Sequence, residues 1–378
     1  MLIQAVKRRG SSCATTWTGL ETDAYAMTHM ERISALLNGK PLDRLPCAAW
    51  SHVMNFCDRN AKDFAKATID FQNACDFDFV KIMSNPYYML EDMGLLLTSP
   101  SVYTEPAMRR GPLPVQSPGD WGRAAFSECG RGSLAREREA IARVVEHFRG
   151  EVPVIATIFT PLMWVAYAAL SPAALDEAER RWGCSTPLLE RYAEDNEPYV
   201  RAALERFAAI NQEYMESLIS VGVSGFFYCT EHARDAWQDA AAFESFEGCY
   251  DRETLGAVFD RSLMNVMHVC GVGRLKPSLV LDYPVHAFNW EDQALQNPSL
   301  ADVRGMTDRI LVGGLDRLHD FEGADRAEIK ERIRQKIEEA QRQAGRNLIV
   351  SGGCDWKIDA VFRFYIWQEV MEELGQLS

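Results

Sequence analysis

Eight short apolar segments alternate with longer amphipathic segments along this chain, and this alternation constrains the fold more than any other feature. The apolar segments are rich in Val, Ile and Phe, as is typical of parallel strands that are buried on both faces. Eight strand-and-helix units close most naturally as a (β/α)8 barrel, so we predict an α/β fold of the TIM-barrel type. The predicted strands cover residues 46–52, 77–83, 152–159, 223–229, 265–271, 279–290, 309–315 and 347–353.

The segments between the strands carry apolar residues at helical spacing, most clearly over 135–148, 197–220 and 326–344. No linker rich in Pro, Gly or Ser divides the alternation, so residues 28–378 are predicted to form one barrel. Residues 1–27 lack periodicity and are predicted to be a flexible N-terminal extension.

A long insertion, residues 84–134, follows the second predicted strand. Within it, LLLTS and SVYTEP are predicted to pair as a hairpin. Because this material leaves the carboxyl end of a strand, where barrel enzymes build their active sites, it is a candidate lid.

The charge balance limits the partners of the chain. Asp and Glu number 54 against 40 Lys and Arg, which gives a formal net charge of −14. This balance disfavours binding to nucleic acid or to a membrane surface. No apolar run reaches the ~18 residues of a membrane span. The ten cysteines are scattered and indicate reduced thiols rather than a disulfide framework. We therefore expect a cytoplasmic protein that acts on a small molecule.

The most specific group of polar residues is His268 and Cys270, near the end of the fifth predicted strand, together with Cys354 after the last one. Side chains at i and i+2 of a strand leave the same face, so His268 and Cys270 can project together towards the barrel axis. An imidazole and two thiolates suit Zn²⁺ and leave a fourth position open. Alternatively, the cysteines are small buried apolar residues and His268 is a core histidine. Spacing alone leaves both interpretations open.

Other polar and aromatic residues follow the predicted strands and are candidates for contact with a substrate. Glu231 and His232 could supply a ligand or a general acid; the alternative, which the sequence favours for Glu231, is a solvated turn that caps the next helix. Asp316 could orient a residue of the site or cap a helix. The predicted substrate-binding residues are His52, Cys229, Asp282, Tyr283, Asn289 and Trp290.

Several segments together resemble the uroporphyrinogen decarboxylase superfamily over nearly all of residues 30–375: ERISALLNGKPLDRLP, FVKIM, GVSGFFYCTEHA, VMHVCG, HAFNWED, ILVGGLD and NLIVSGGCD. The resemblance implies a (β/α)8 barrel. This superfamily contains decarboxylases without a metal and cobalamin-dependent methyltransferases that bind zinc through H-x-C and a distant cysteine. The segment AAWSHVMNFCDRN lacks the arginine-rich character of the decarboxylases, whereas His268, Cys270 and Cys354 match the zinc pattern.

The resemblance therefore implies a zinc-dependent methyltransferase that moves a methyl group between a corrinoid and a thiol or other heteroatom. The chain has no D-x-H-x-x-G signature of corrinoid proteins, so the corrinoid would be carried by a separate protein or be free. Two alternatives remain open. One is a metal-free decarboxylase of a small carboxylated or tetrapyrrole substrate. The other is a non-catalytic barrel that binds a tetrapyrrole or zinc.

Overall fold

The computed structural model describes residues 26–52, 59–95, 97–98, 109–110 and 112–376. Its centre is a seven-stranded parallel sheet in the order β1-β4-β5-β6-β7-β8-β9, and β2 pairs antiparallel with β3. Every residue of β5, β8 and β9 is buried, as expected for strands covered on both faces. The strands are β1 Val80–Lys81, β2 Leu97–Thr98, β3 Arg109–Arg110, β4 Val154–Phe159, β5 Gly225–Thr230, β6 Val266–Val269, β7 Ala287–Trp290, β8 Ile310–Leu315 and β9 Leu348–Gly352.

The first predicted strand closes the sheet into a barrel. On one side, the Ala48 N–H donates to the Val350 carbonyl in β9 at 3.0 Å, and on the other the Asp78 N–H donates to the Cys47 carbonyl at 2.8 Å. The ladder is short because Pro46 has no N–H and the Cys47 N–H donates to the Asp78 carboxylate at 2.7 Å instead of to a backbone carbonyl. The predicted α/β barrel is confirmed, and segment 46–50 takes the position of its first strand, between β1 and β9.

Helices cover the outside of the barrel. The α11 helix shows how the sequence specifies them, because the Asp325 side chain accepts the Ala327 and Glu328 N–H groups at its start, and Ile329, Ile333 and Ile337 form its buried stripe. The helices are α1 His29–Leu37, α2 Ala61–Cys75, α3 Gly132–Phe148, α4 Pro161–Ala169, α5 Pro172–Trp182, α6 Thr186–Asp195, α7 Glu197–Ser220, α8 Ala240–Phe243, α9 Cys249–Gly256, α10 Leu300–Arg304, α11 Arg326–Ala344, α12 Ile358–Val361 and α13 Phe364–Gly375.

The prediction of a strand over residues 279–290 is wrong in its first half. Only β7 pairs with its neighbours, and Pro277–Leu279 forms a single 3₁₀ turn. Pro277 and Pro284 bracket the LVLDY segment, and proline cannot donate the hydrogen bond that a central strand requires. Residues 280–284 therefore precede β7 and lie at the amino-terminal end of the barrel.

The long insertion follows β1, as predicted, but the second strand of its hairpin differs from the prediction. Leu97 pairs with Arg110 and Thr98 with Arg109. The SVYTEP segment that was expected in this role, residues 101–106, lies outside the described residues. The lid role of the insertion stays a prediction.

Most of the predicted N-terminal extension, residues 1–25, also lies outside the described residues, so the domain boundary after residue 27 stays a prediction. Within the described part of the chain, no helix combines the length and the apolar character that crossing a bilayer requires.

A buried carboxylate, that of Asp78, links segment 46–50 to α1 at the amino-terminal end of the barrel. Asp78 is completely buried. Its carboxylate accepts hydrogen bonds from Arg32 at 2.5 Å, Arg44 at 2.7 Å, the Cys47 N–H at 2.7 Å and His29 Nδ1 at 3.0 Å. Although burial acts in the opposite direction, these partners lower the pKa of Asp78 below its usual range. The network therefore stabilises the closure of the barrel most when Asp78 is ionised.

We expect the stability of the protein to fall at alkaline pH partly through His29. Although burial opposes this shift, the hydrogen bonds of His29 to Asp76 and Asp78 raise its pKa from 6.5 to about 9. The folded protein thus holds this proton more tightly than the unfolded chain. The contribution of His29 to the free energy of unfolding is therefore full below pH 6.5 and is lost as the pH rises through about 9. Urea unfolding of wild type and His29→Gln at pH 6 and pH 10 measures this. The difference in the free energy of unfolding between the two proteins should be smaller at pH 10 than at pH 6. The same difference at both pH values would contradict the raised pKa of His29.

Candidate metal centre

Three residues with metal-binding side chains meet at the carboxyl-terminal end of the barrel. His268 lies in β6, Cys270 follows this strand and Cys354 follows β9. One ligand atom from each residue lies within 4.8 Å of the others, and the two Sγ atoms are 3.8 Å apart. Two thiolates on a tetrahedral Zn²⁺, with Zn–S bonds of about 2.3 Å, are separated by about 3.8 Å. The residues present therefore fit a three-ligand zinc site, and we call them the His-Cys-Cys cluster.

Two glycines allow the backbone to place the cysteines. Gly271 has a φ of 112°, and a Cβ there would lie 2.0 Å from an Arg234 guanidinium nitrogen. A Cβ on Gly353 would lie 2.2 Å from the Glu291 Cα atom. Each glycine therefore permits a close approach that no other residue allows, and each adjoins a cysteine of the cluster.

Asn289 orients the histidine of the cluster. Its side-chain NH₂ donates to the Val312 carbonyl at 2.7 Å and to the Gly352 carbonyl at 3.1 Å, which fixes the direction of the amide. The amide oxygen then lies 2.6 Å from His268 Nδ1. Since this oxygen can only accept, Nδ1 carries the proton and Nε2 is the nitrogen left for a metal. The sequence predicts Asn289 as a substrate-binding residue, whereas its observed contacts position His268.

Arg234 braces the turn that carries Cys270. Its guanidinium donates to the Gly273 carbonyl at 2.6 Å and to the Cys270 carbonyl at 3.3 Å, and its Nε donates to the Glu231 carbonyl at 2.8 Å. These bonds tie the end of β5 to the loop after β6. Sequence reasoning missed this residue, because an arginine in a polar loop usually indicates a solvated position.

His268 is buried, whereas the two cysteines of the cluster are half-buried and affect each other's ionisation. The Cys270 and Cys354 sulfurs share a hydrogen bond, which lowers the pKa of Cys354 and raises that of Cys270. Arg317 lies on the same rim, where it donates to the Glu291 carboxylate at 2.6 Å and acts on Cys354 in the same direction. Asp355, adjacent to Cys354, has its pKa raised to about 6, mainly by burial and then by the cysteine.

Glu231 and His52 are brought to the same end of the barrel. The Tyr167 hydroxyl donates to Glu231 at 2.8 Å, while burial raises the pKa of this carboxyl group. Burial lowers the pKa of His52 to about 4, and the ammonium of Lys81 adds to this effect. Both residues lie near enough to Cys354 to interact with it electrostatically.

Three further predicted site residues are buried close to these elements. Cys229 is the register partner of His268 in the neighbouring strand, and burial raises the pKa of its thiol to about 12. His232 has a pKa lowered to about 3 by burial, and neither ring nitrogen has a hydrogen-bond partner among the described residues. Trp290 donates to the Pro298 carbonyl at 2.7 Å.

The remaining predicted site residues are not brought to the cluster. Because LVLDY is not a strand, Asp282 and Tyr283 lie at the opposite end of the barrel, where they contact Arg252 and Asp251 respectively. Asp316 caps its own turn, since its carboxylate accepts the Leu318 N–H at 2.8 Å. No helix begins there, since α11 starts at Arg326 with Asp325 as its cap, so Asp316 caps a turn rather than a helix.

A family model and several solved structures are similar to this chain. The family model described as uroporphyrinogen decarboxylase (URO-D) matches residues 28–361. Among solved structures, a methyltransferase from Methanosarcina mazei is similar over 92% of this chain and 98% of its own, with a TM-score of 0.67 and 17% identity. A B12-independent methionine synthase from Shewanella sp. W3-18-1 is similar over 84% of this chain and 87% of its own, with a TM-score of 0.47 and 10% identity. No curated protein matches the chain significantly.

Proposed function

This chain belongs to the uroporphyrinogen decarboxylase family, and we propose that it is a zinc-dependent methyltransferase that moves a methyl group between a corrinoid and a thiol or another heteroatom substrate. The observation that carries this proposal is the His-Cys-Cys cluster at the carboxyl ends of the barrel strands. The likeness to the methyltransferase from Methanosarcina mazei supports the barrel fold on which the proposal rests.

The residues around the cluster are suited to a metal that reacts with substrate rather than one that holds the fold. His268, Cys270 and Cys354 would supply three ligands, and a set of three protein ligands leaves a coordination position for a substrate atom. Zinc bound there would keep a substrate thiol deprotonated and nucleophilic at neutral pH. Asn289 holds the His268 ring, and Arg234 holds the loop of Cys270, so the ligands are oriented in advance.

Glu231 is the residue at the cluster that is best placed to move a proton. Its Oε1 atom accepts from Tyr167, its Oε2 atom has no hydrogen-bond partner among the described residues, and burial raises its pKa above the usual value. We propose that Glu231 accepts the proton that a thiol releases on binding. His232 would influence the reaction less, because burial lowers its pKa to about 3 and makes the imidazole a poor proton acceptor at pH 7.

A corrinoid would have to come from outside this chain, because the D-x-H-x-x-G signature is absent from the sequence. Its carrier would be a separate corrinoid protein, or cobalamin would bind directly at the barrel mouth. The other substrate is a small molecule that donates or accepts the methyl group.

Metal analysis coupled to a methyl-transfer assay tests the proposal. The protein is prepared without chelator, its zinc is counted, and methylcobalamin is offered with a panel of thiols while the loss of its absorption is followed. The reverse direction uses cob(I)alamin with methylated thiols, methylamines and methyl ethers. We expect one zinc per chain and transfer in at least one direction. Failure to bind zinc would favour a metal-free decarboxylase instead.

Removal of the side-chain amide of Asn289 should weaken zinc binding. In Asn289→Ala the His268 Nδ1–H loses its acceptor, and the loss of such a partner typically costs about 10–100-fold in metal affinity. A competition titration with a chromogenic chelator measures the change, and far-UV circular dichroism checks the fold. Asn347→Ala is the control, since Asn347 donates to the Asp308 carbonyl at the amino end of the barrel. Wild-type affinity in Asn289→Ala would show that the ring needs no such support.

A further inference from the structure

A cavity of about 460 Å³ lies at the amino-terminal end of the barrel, opposite to the end that carries the His-Cys-Cys cluster. The loop between α1 and segment 46–50 lines it, and so do Arg346 and Asn347, which lead directly into β9. The carboxyl-terminal halves of α11 and α13 form further walls. This volume is within the ~300–1,000 Å³ that small-molecule sites usually have. The cavity is therefore large enough for a ligand of its own.

Much of the cavity lining is apolar. Leu42, Leu45 and Leu374 line the cavity and pack against the core, yet each stays half-buried. Ile337 and Met371, which also line it, are buried core residues. An alkyl chain placed on the half-buried leucines would remove apolar surface from water. The body of a ligand that fits this cavity is therefore apolar.

The ionisable residues of the lining are basic, although the chain as a whole carries a formal net charge of −14. Lys40, Arg44 and Arg346 line the cavity, and none of the described residues that line it is Asp or Glu. Arg44 is neutralised, because its guanidinium donates to the Asp78 carboxylate at 2.7 Å. The charges of Lys40 and Arg346 therefore decide which ligands the cavity attracts.

Lys40 and Arg346 have no carboxylate partner in the part of the chain that the structure describes. Neither side chain forms an ion pair or a hydrogen bond there. Asp43, the acidic residue of the loop that contains Lys40, has its carboxylate bound by the Arg32 guanidinium at 2.6 and 2.7 Å. Lys40 and Arg346 are both exposed, so they can bind an anion without first losing another partner.

We propose that this cavity binds an amphipathic anion, in which a carboxylate or phosphate head group is joined to a short alkyl chain. The head group would contact Lys40 and Arg346, and the guanidinium of the arginine can donate to two oxygens at once. The alkyl chain would cover the half-buried leucines. This proposal does not rest on the proposed function, because the cavity and the His-Cys-Cys cluster share no residue.

Calorimetric titration of the full-length protein with four probes tests the inference. Octanoate and octyl phosphate carry both parts of the ligand, octanamide lacks the charge and acetate lacks the chain. We expect at least one of the two long anions to bind, and the tighter of them identifies the head group. Octanamide should bind about tenfold more weakly than this anion, and acetate about a hundredfold more weakly or worse. Equal affinity for the anion and for octanamide, or no binding of either long anion, would overturn the inference.

Variants locate the site. In the double variant Lys40→Gln with Arg346→Gln, affinity for the tighter anion should fall about tenfold because two ion pairs are lost, while affinity for octanamide stays within about twofold. Lys62→Gln with Arg180→Gln is the control, since these side chains are exposed on α2 and α5. Cys354→Ala changes the other end of the barrel and should bind the anion as wild type does. Wild-type affinity in the first double variant, or loss of binding in Cys354→Ala, would show that the anion does not bind in this cavity.

Discussion

Replacement of Cys354 by alanine should abolish zinc binding and methyl transfer while leaving the barrel folded. Loss of one of three ligands should raise the zinc dissociation constant by more than the ~10–100-fold expected for a residue that only supports a ligand. Cys354 is only half-buried and follows β9 rather than lying in it, so little core packing is lost. Zinc content by mass spectrometry and turnover with methylcobalamin and a thiol measure the two effects.

Cys249→Ala is the matched control for this change. Cys249 is exposed at the start of α9 and should be replaceable without loss of zinc. His268→Ala and Cys270→Ala should behave like Cys354→Ala. Full activity in any of these three variants, or in zinc-stripped protein, would contradict the mechanism even if methyl transfer itself were observed.

Replacement of Asp78 by asparagine should cause the largest loss of stability. The variant keeps the size of the side chain but removes the charge that Arg32 and Arg44 share in the interior, and breaking a buried ion pair typically costs about 3–5 kcal/mol. The free energy of unfolding in urea measures the loss. Asp70→Asn, which removes an exposed pair with Lys66, should change that free energy by less than about 1 kcal/mol.

The same residue should govern acid stability. Because the folded state lowers the pKa of Asp78, its contribution is full above the unfolded value of 3.8 and is lost as the pH falls through the folded value. The stability of Asp78→Asn should therefore fall less between pH 5 and pH 3 than that of wild type. If Asp78→Asn lowers the free energy of unfolding by less than about 1 kcal/mol at pH 7, the network around Asp78 does not stabilise the closure of the barrel.

The sequence is sufficient to predict the barrel and much of its helical shell, because both depend on local patterns. The α7 and α11 helices have the predicted bounds, and α3 begins at Gly132 rather than at residue 135. Apolar spacing fails where two signals conflict. LVLDY is as apolar as a strand, but the flanking prolines prevent it from joining the sheet.

The ligand set could be predicted only in part. His268 and Cys270 lie two residues apart in the predicted strand 265–271, so they are expected to share a face, and that inference needs no tertiary structure. The approach of Cys354 depends on the closure of the barrel, and in the sequence only the family resemblance favours it. Asn289 was predicted at the site, but its role depends on two carbonyl groups in other strands.

The buried position of Lys81 in β1 could not be predicted from the pattern. A lysine in a short strand usually points to solvent, and nothing local indicates that it faces inwards. Its position follows from the contacts with Trp50 and Phe227, which are far apart in the sequence. A buried charge of this kind is therefore found from the tertiary structure alone.

X-ray absorption at the zinc edge, on protein loaded with one equivalent of zinc, tests the central claim most directly. The account predicts two sulfur ligands at about 2.3 Å together with nitrogen or oxygen ligands at about 2.0–2.1 Å. Addition of a substrate thiol should raise the number of sulfur ligands to about three, since the open position would take the thiol sulfur. Zinc that is surrounded only by nitrogen and oxygen, or a sulfur count that no thiol changes, would contradict the account.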